Sequence, residues 1–235
     1  MLKDFCMESI FKRHELKFIL PPDKHALIYK DIVANVPRDS YGKYLVQSLY
    51  FDTSNWDVIR RSIEKPPYKE KMRLRCYNVP GEDSTIYLEL KKKYRGIVYK
   101  RRIAFLAQAL KKQTAKEIAA QDKSQIGQEL DYYFSAHPVT EKAHISYDRE
   151  AFGSTRTLRI TFDTKLRFRT HQLDYHHPGQ GLEIIPDHLT IMEIKTLGAM
   201  PLWLSQDLSR HQIYPHSFSK VGAGYNKYIL KGGNM

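Results

Sequence analysis

The chain has 235 residues, 42% hydrophobic and 27% charged, with 38 Lys and Arg against 26 Asp and Glu, a formal net charge of +12 with histidine neutral. That length supplies ample material for a buried core, and the composition excludes a disordered chain. The two cysteines, Cys6 and Cys76, form no CxxC, which excludes a disulfide framework and argues against a zinc site.

The start, MLKDFCMESIFKRHELKF, carries charge at Lys3, Asp4, Glu8 and Lys12, so it has no room for a signal-peptide apolar region. No apolar run approaches the roughly 20 residues that span a bilayer. These features predict a soluble, cytoplasmic protein without a transmembrane segment. The positive excess predicts an anionic partner: nucleic acid, an anionic membrane surface or a phosphorylated small molecule.

A first strand is predicted around 12–20 (KRHELKFIL). Pro21-Pro22-Asp23 stops it and opens a helix near 23–35. A strand follows near 45–52 (LVQSLYFD), then a short helix capped by Ser54 or Asn55 and ended by Pro66-Pro67. Strands are predicted near 69–77, 85–92 and 98–105, joined by turns at VPGEDS and YRG. Residues 106–136 fit one or two helices, broken near 125–127. Strands resume near 143–149, 157–169 and 189–197, with a His- and Pro-rich loop at 171–188. An apolar-periodic helix follows Pro201, and residues 217–231 close the chain as loop and short helix. There is no linker or tandem repeat, so residues 1–235 read as a single domain. The class is α+β with about eight mostly antiparallel strands in a sheet that curls toward closure.

The strands share a grammar. In KMRLRCY (71–77), Arg73 and Arg75 alternate with Met72, Leu74 and Cys76, the period of two of a β-strand. Glu15 and Lys17 oppose Leu16 and Phe18. Glu89 and Lys91 oppose Leu88 and Leu90. Arg159 and Asp163 oppose Ile160 and Phe162, and Glu193 and Lys195 oppose Met192 and Ile194. Lys100 and Arg102 share a face, though both faces of that strand carry polar residues. A solvent-exposed sheet would alternate in the same way. An inverted barrel explains more: charged side chains line a tunnel and apolar ones point outward beneath helices. Like charges in a confined space repel, and a polyanion would relieve them. Arg offers planar forks to phosphate and Lys point charges, while a few carboxylates suit Mg²⁺ or Mn²⁺ bound together with phosphate oxygens.

In chain order, RHELKF (13–18), SLYFDTSNWD (48–57), KMRLRCY, YLELKKK (87–93), YKRR (99–102), SYDREAF (146–152), LRITFD (158–163), IMEIK (191–195), PLWL (201–204) and SFSK (217–220) resemble the VTC domain, the polyphosphate polymerase domain of the triphosphate tunnel metalloenzyme (CYTH-like) superfamily. The resemblance implies an antiparallel eight-stranded β-barrel with a charged lumen, flanked by helices. It implies transfer of the γ-phosphoryl group of ATP onto inorganic polyphosphate with Mn²⁺ or Mg²⁺, with release of ADP. Carried over by motif, the phosphate-binding and catalytic set is Lys17, Arg73, Arg75, Lys91, Arg149, Arg159 and Lys220, with Lys100 and Lys195 as further phosphate contacts. The metal ligand is Glu193, with Glu15 and Glu89 as further acidic candidates. The superfamily's first-strand ExExK reads Arg13-x-Glu15-x-Lys17 here, which removes one acidic position.

Several tempting features carry less. His176-His177 in a Pro/Gly loop reads as solvated, and GAGY (222–225) is not a phosphate loop. Trp56 and Trp203 are expected to pack outside the barrel. Beside the polymerase stand a triphosphatase of the same fold, a non-catalytic polyphosphate- or inositol-phosphate-binding module, and non-specific nucleic-acid binding. The last is disfavoured because no stacking surface is evident, although sequence alone does not locate the 16 tyrosines. A membrane-protein partner is not specified by anything in the chain.

Overall fold

The computed structural model describes residues 13–95, 97–153 and 157–232. Cys6 and the charged start lie outside the described residues. Nine strands form one antiparallel sheet: β1 (Arg13–Leu20), β2 (Arg38–Asp52), β3 (Tyr68–Tyr77), β4 (Thr85–Tyr94), β5 (Ile97–Leu106), β6 (Thr140–Gly153), β7 (Leu158–Arg169), β8 (Leu182–Glu183) and β9 (Thr190–Leu197). Six α-helices accompany them among the described residues: α1 (Pro22–Asn35), α2 (Asp57–Ile63), α3 (Ala115–Gln121), α4 (Gln125–Ala136), α5 (Leu202–Arg210) and α6 (Lys220–Tyr225). The strand order is β1-β9-β7-β6-β2-β3-β4-β5, and β8 pairs with β7.

All eight predicted strands are present in the predicted chain order. The ninth, two-residue β8, falls in the His/Pro stretch read as a loop. That loop is ordered around Arg169, which is 2% exposed and donates to the carbonyls of Gln172, Asp174, His177 and Gln180.

Among the described residues the sheet does not close strand to strand. β1 and β5 stand at its two ends, each with one neighbour. Residues 215–219 bridge part of the gap. The His216 amide donates to the Lys17 carbonyl at 2.7 Å, Lys17 Nζ to the Phe218 carbonyl at 3.0 Å, and Lys71 Nζ to Ser219 Oγ at 3.2 Å. A chain segment thus ties β1 to β3 across the open side of the sheet, without reaching the far end strand β5.

The apolar faces point outward, as the alternation predicts. Met72, Leu74, Cys76, Ile86, Leu88 and Leu90 are fully buried beneath Ala115, Ile118, Leu130 and Phe134 of α3 and α4. Phe18, Ile160, Phe162, Met192 and Ile194 pack under Ile28 and Ile32 of α1 and Leu204 and Leu208 of α5. Each Å² of apolar surface these outer layers remove from water stabilises the fold by roughly 25 cal/mol. Trp203 packs outside as expected.

The concave face is not charged throughout. Ala143, Ile145, Leu166, Phe168 and Ile191 share it with Arg73 and Arg75 through the strand registers, and α2 and α6 cover them with Ile59, Val221 and Tyr225. Trp56 belongs to this inner cluster, against Tyr225, rather than outside the sheet. Helix α2 is capped by neither Ser54 nor Asn55. Buried Asp52 accepts from the amides of Thr53, Val58 and Ile59 at 2.8–2.9 Å, satisfying the free helix-start donors. Among the described residues no helix is long and apolar enough to cross a membrane.

Candidate functional site

The concave wall collects the charged side chains that alternate with these apolar layers. On β3 and β4, Arg73 holds Glu89 with Nε and Nη2 at 2.9 and 2.8 Å and donates Nη1 to the Tyr50 hydroxyl at 3.0 Å. Lys100 of β5 pairs with the other Glu89 oxygen at 2.5 Å, and Arg75 stands 4.0 Å away. Burial alone would raise the Glu89 carboxyl, but Arg73, Arg75 and Lys100 outweigh it and hold it at about 2.

Across the concavity a second cluster joins β6, β7, β9 and α6. Arg149 grips Asp163 with two bonds of 2.6 and 2.7 Å, and Lys220 reaches the same carboxylate at 2.7 Å. Lys220 also lies 4.6 Å from the centre of the Tyr147 ring. Glu193 meets Lys195 at 2.8 Å and Arg149 at 3.8 Å. Burial opposes its charge, yet Lys195, Lys220, Lys17 and Arg149 hold its carboxyl well below the usual range. Glu15 pairs with Lys17 at 3.2 Å.

Between the clusters runs a row of lysines. Lys71 faces Lys91 and Lys69 faces Lys93 directly across the β3–β4 ladder. Like charges opposed in this way destabilise a sheet. Burial, with Lys69, Lys91 and Lys17 adding to it, brings Lys71 down to about 8 against the favourable pull of Tyr50. Tyr50 would rise through burial, but Arg73, Arg75 and Lys71 lower it to about 8. Lys69 is lowered by burial and then by Lys93 and Lys65. A cavity of about 870 Å³ opens along this row, lined by Glu15, Lys17, Lys71, Lys91 and residues 215–219.

Most residues chosen from sequence therefore share one basin. Lys17, Arg73, Arg75, Lys91, Lys100, Arg149, Lys195 and Lys220 line it with Glu15, Glu89 and Glu193. Arg159 shares this face, directly across the β7–β9 ladder from Lys195, and is bound to Asp39 at 2.8 Å and to the Tyr44 hydroxyl at 3.3 Å. Sequence reasoning missed Lys71, Tyr50, Tyr147 and Asp163. Parity would have found Lys71, two positions before Arg73, and Asp163 lies in the quoted LRITFD. The tyrosines carry no sequence signal of their own. Among the described residues no three of His, Cys, Asp and Glu converge on one point. Each of the three candidate carboxylates is paired with cations: Glu89 with Arg73 and Lys100, Glu193 with Lys195 and Arg149, and Glu15 with Lys17.

The VTC domain family matches residues 12–229. The chain belongs to that family. Among solved structures, this VTC domain is similar to HpAC1 from Hippeastrum, a protein named for adenylyl cyclase and described as having a dominant triphosphatase activity. The two are 18% identical with a TM-score of 0.56, over 95% of this chain and 98% of that one. It is also similar to the PH1819 protein of Pyrococcus horikoshii OT3, at 14% identity and a TM-score of 0.50, over 93% and 99% of the two chains. These likenesses establish a shared fold. A comparison with curated proteins finds no match.

Proposed function

We propose that this VTC domain is a metal-dependent polyphosphate polymerase that transfers the γ-phosphoryl group of ATP to the end of an inorganic polyphosphate chain. One observation carries the reading. The enclosed wall is cationic beyond what its carboxylates neutralise, with Lys71 opposed to Lys91 and Arg73 and Arg75 two and four positions further on. A multiply charged anion would relieve such a site, and the cations are spread along the strand as a linear phosphate chain would need. At about 3.4 Å per residue, the run from Lys71 to Arg75 spans roughly 14 Å.

Arg73 and Arg75 would bind the triphosphate through their guanidinium forks, with Lys17, Lys91 and Lys100 adding point charges. Arg149 and Lys220, fixed on Asp163, would stand at the opposite wall, with Lys195 beside Glu193. Magnesium and manganese use one or two carboxylates together with substrate phosphate oxygens. Glu193 and Glu15 fit that requirement, being diagonal neighbours on β9 and β1, where Glu193 faces Lys17 and Glu15 faces Lys195. The cation would supply neutralisation of phosphate charge there. The terminal oxygen of the acceptor chain forms the new P–O bond to the γ-phosphorus, and the β–γ bridging P–O bond breaks to release ADP. The attacking phosphate is already anionic at neutral pH, so no general base is needed.

A second reading replaces the acceptor phosphate with water. The triphosphatase activity described for HpAC1 favours it. Incubation of the protein with ATP and Mn²⁺ or Mg²⁺ separates the two. Long chains with ADP, resolved on a polyphosphate-stained gel, support the polymerase; free phosphate without chains overturns it. Arg73→Ala is expected to lose at least about tenfold in tripolyphosphate affinity, about 1.4 kcal/mol, with the fold retained by circular dichroism. Wild-type affinity in that variant would remove phosphate from the β3 wall.

A further inference from the structure

The concave face ends, beyond Arg75, in tyrosines that the phosphate reading does not use. Tyr87 is the cross-strand partner of Arg75, and Tyr77 lies two residues further along β3. Tyr77 faces Val46 of β2, two residues from Tyr44. The rings of Tyr41, Tyr44, Tyr77 and Tyr87 form a continuous row, with centroids 6.3, 5.8 and 6.2 Å apart and planes 73–76° from parallel. Each of these pairs meets edge to face. Tyr77 is 39% exposed and Tyr41 78%. The Arg102 guanidinium lies 4.8 Å from the Tyr87 ring centre. Exposed aromatic rings on the inner side of a strongly cationic site are an unusual use of large apolar surface.

We infer that Tyr77 and Tyr87, with Arg102, form a nucleobase subsite that stacks the base of a nucleoside triphosphate whose phosphates run inward along Arg75 and Arg73. Aromatic rings and guanidinium planes are the groups on which bases stack, and such stacking tolerates any base because each has a π-face. The polarity follows. The base sits at the tyrosine end, the triphosphate at Arg75 and Arg73, and an acceptor chain comes from the lysine end at Lys71 and Lys91. The inference rests on the proposed placement of phosphates on β3, and it separates nucleotide from inorganic triphosphate, which the cations alone do not.

The test compares a non-hydrolysable ATP analogue with inorganic tripolyphosphate by calorimetry on the whole chain. The wild type is expected to bind the nucleotide more tightly than tripolyphosphate at equal charge. Tyr77→Ala/Tyr87→Ala should weaken the analogue about tenfold and tripolyphosphate by no more than about twofold. Tyr77→Phe/Tyr87→Phe should restore analogue affinity, because stacking needs the ring and not the hydroxyl. Equal affinity of the two ligands for the wild type overturns the subsite, as does equal loss of both in the Ala variant. A wild type that binds neither ligand overturns the phosphate placement and the subsite together. Binding that behaves as expected, without polyphosphate synthesis, leaves the subsite standing and removes the polymerase.

Discussion

Tyr50 and Lys71 set the pH behaviour of the basin. Each titrates near 8, Tyr50 lowered from an ordinary 10.0 and Lys71 from 10.5. For Lys71 the charged form is penalised on folding. That penalty is complete below about 8 and lifts as pH rises toward 10.5. For Tyr50 the phenolate is favoured on folding, a contribution complete above 10.0 and lost as pH falls through about 8. Both groups therefore make the ligand-free protein more stable as pH rises from about 8 to 10. Phosphate binding runs the other way, since the wall loses a positive charge at Lys71 and gains a negative one at Tyr50. Tripolyphosphate affinity is expected to fall across that range while ligand-free unfolding free energy rises. Tyr50→Phe should flatten both curves. Parallel movement of the two quantities would show that neither group governs them. The cations of this site were legible because Arg and Lys recur every second residue along strands whose other face is apolar. Tyr50 was not, because an uncharged ring in SLYFD looks the same whether it faces a helix or a guanidinium.

Strand existence and chain order were readable for the same reason: alternation marks a half-buried strand wherever one face is covered. Closure was not, because Ile97–Leu106 carries polar residues on both faces and shows no mark of a second partner. The inner cluster was also hidden. Helix α6 spans six residues and contains two glycines, too short and irregular for a periodic signal. Gly224 shows why the sequence is so: a Cβ there would lie 2.3 Å from Phe168 Cδ2, on a ring stacked against Tyr228. Close approach of α6 to β7 positions Lys220 against Asp163. Gly224→Ala is expected to cost about 1–3 kcal/mol through overpacking. Gly81→Ala, where a Cβ meets nothing within 4 Å, should be nearly neutral. Urea unfolding of both variants reads the difference, and an equal effect of the two would dissociate α6 packing from stability.

The whole molecule carries +12 and concentrates like charge where strands should pair most comfortably. The ladder tolerates Lys71 opposite Lys91 and Lys69 opposite Lys93 because the outer layers of Met72, Leu74, Leu88 and Leu90 stabilise the same strands. Such a fold is held against its own repulsion. Two consequences follow with different salt signatures. Chloride screens, with a Debye length of about 10 Å at 0.1 M, so ligand-free melting temperature should rise modestly from low salt to that concentration. Tripolyphosphate binds, so at about 100 times its Kd it should stabilise the fold by roughly 2.7 kcal/mol beyond chloride at matched ionic strength. Lys71→Met/Lys91→Met removes the opposed pair. It should raise ligand-free stability and shrink the salt response, and lose most of the gain from tripolyphosphate. Identical stabilisation by chloride and tripolyphosphate in the wild type would mean that the cations form only a diffuse field. A specific gain that vanishes in the double variant locates the polyanion on the β3–β4 wall.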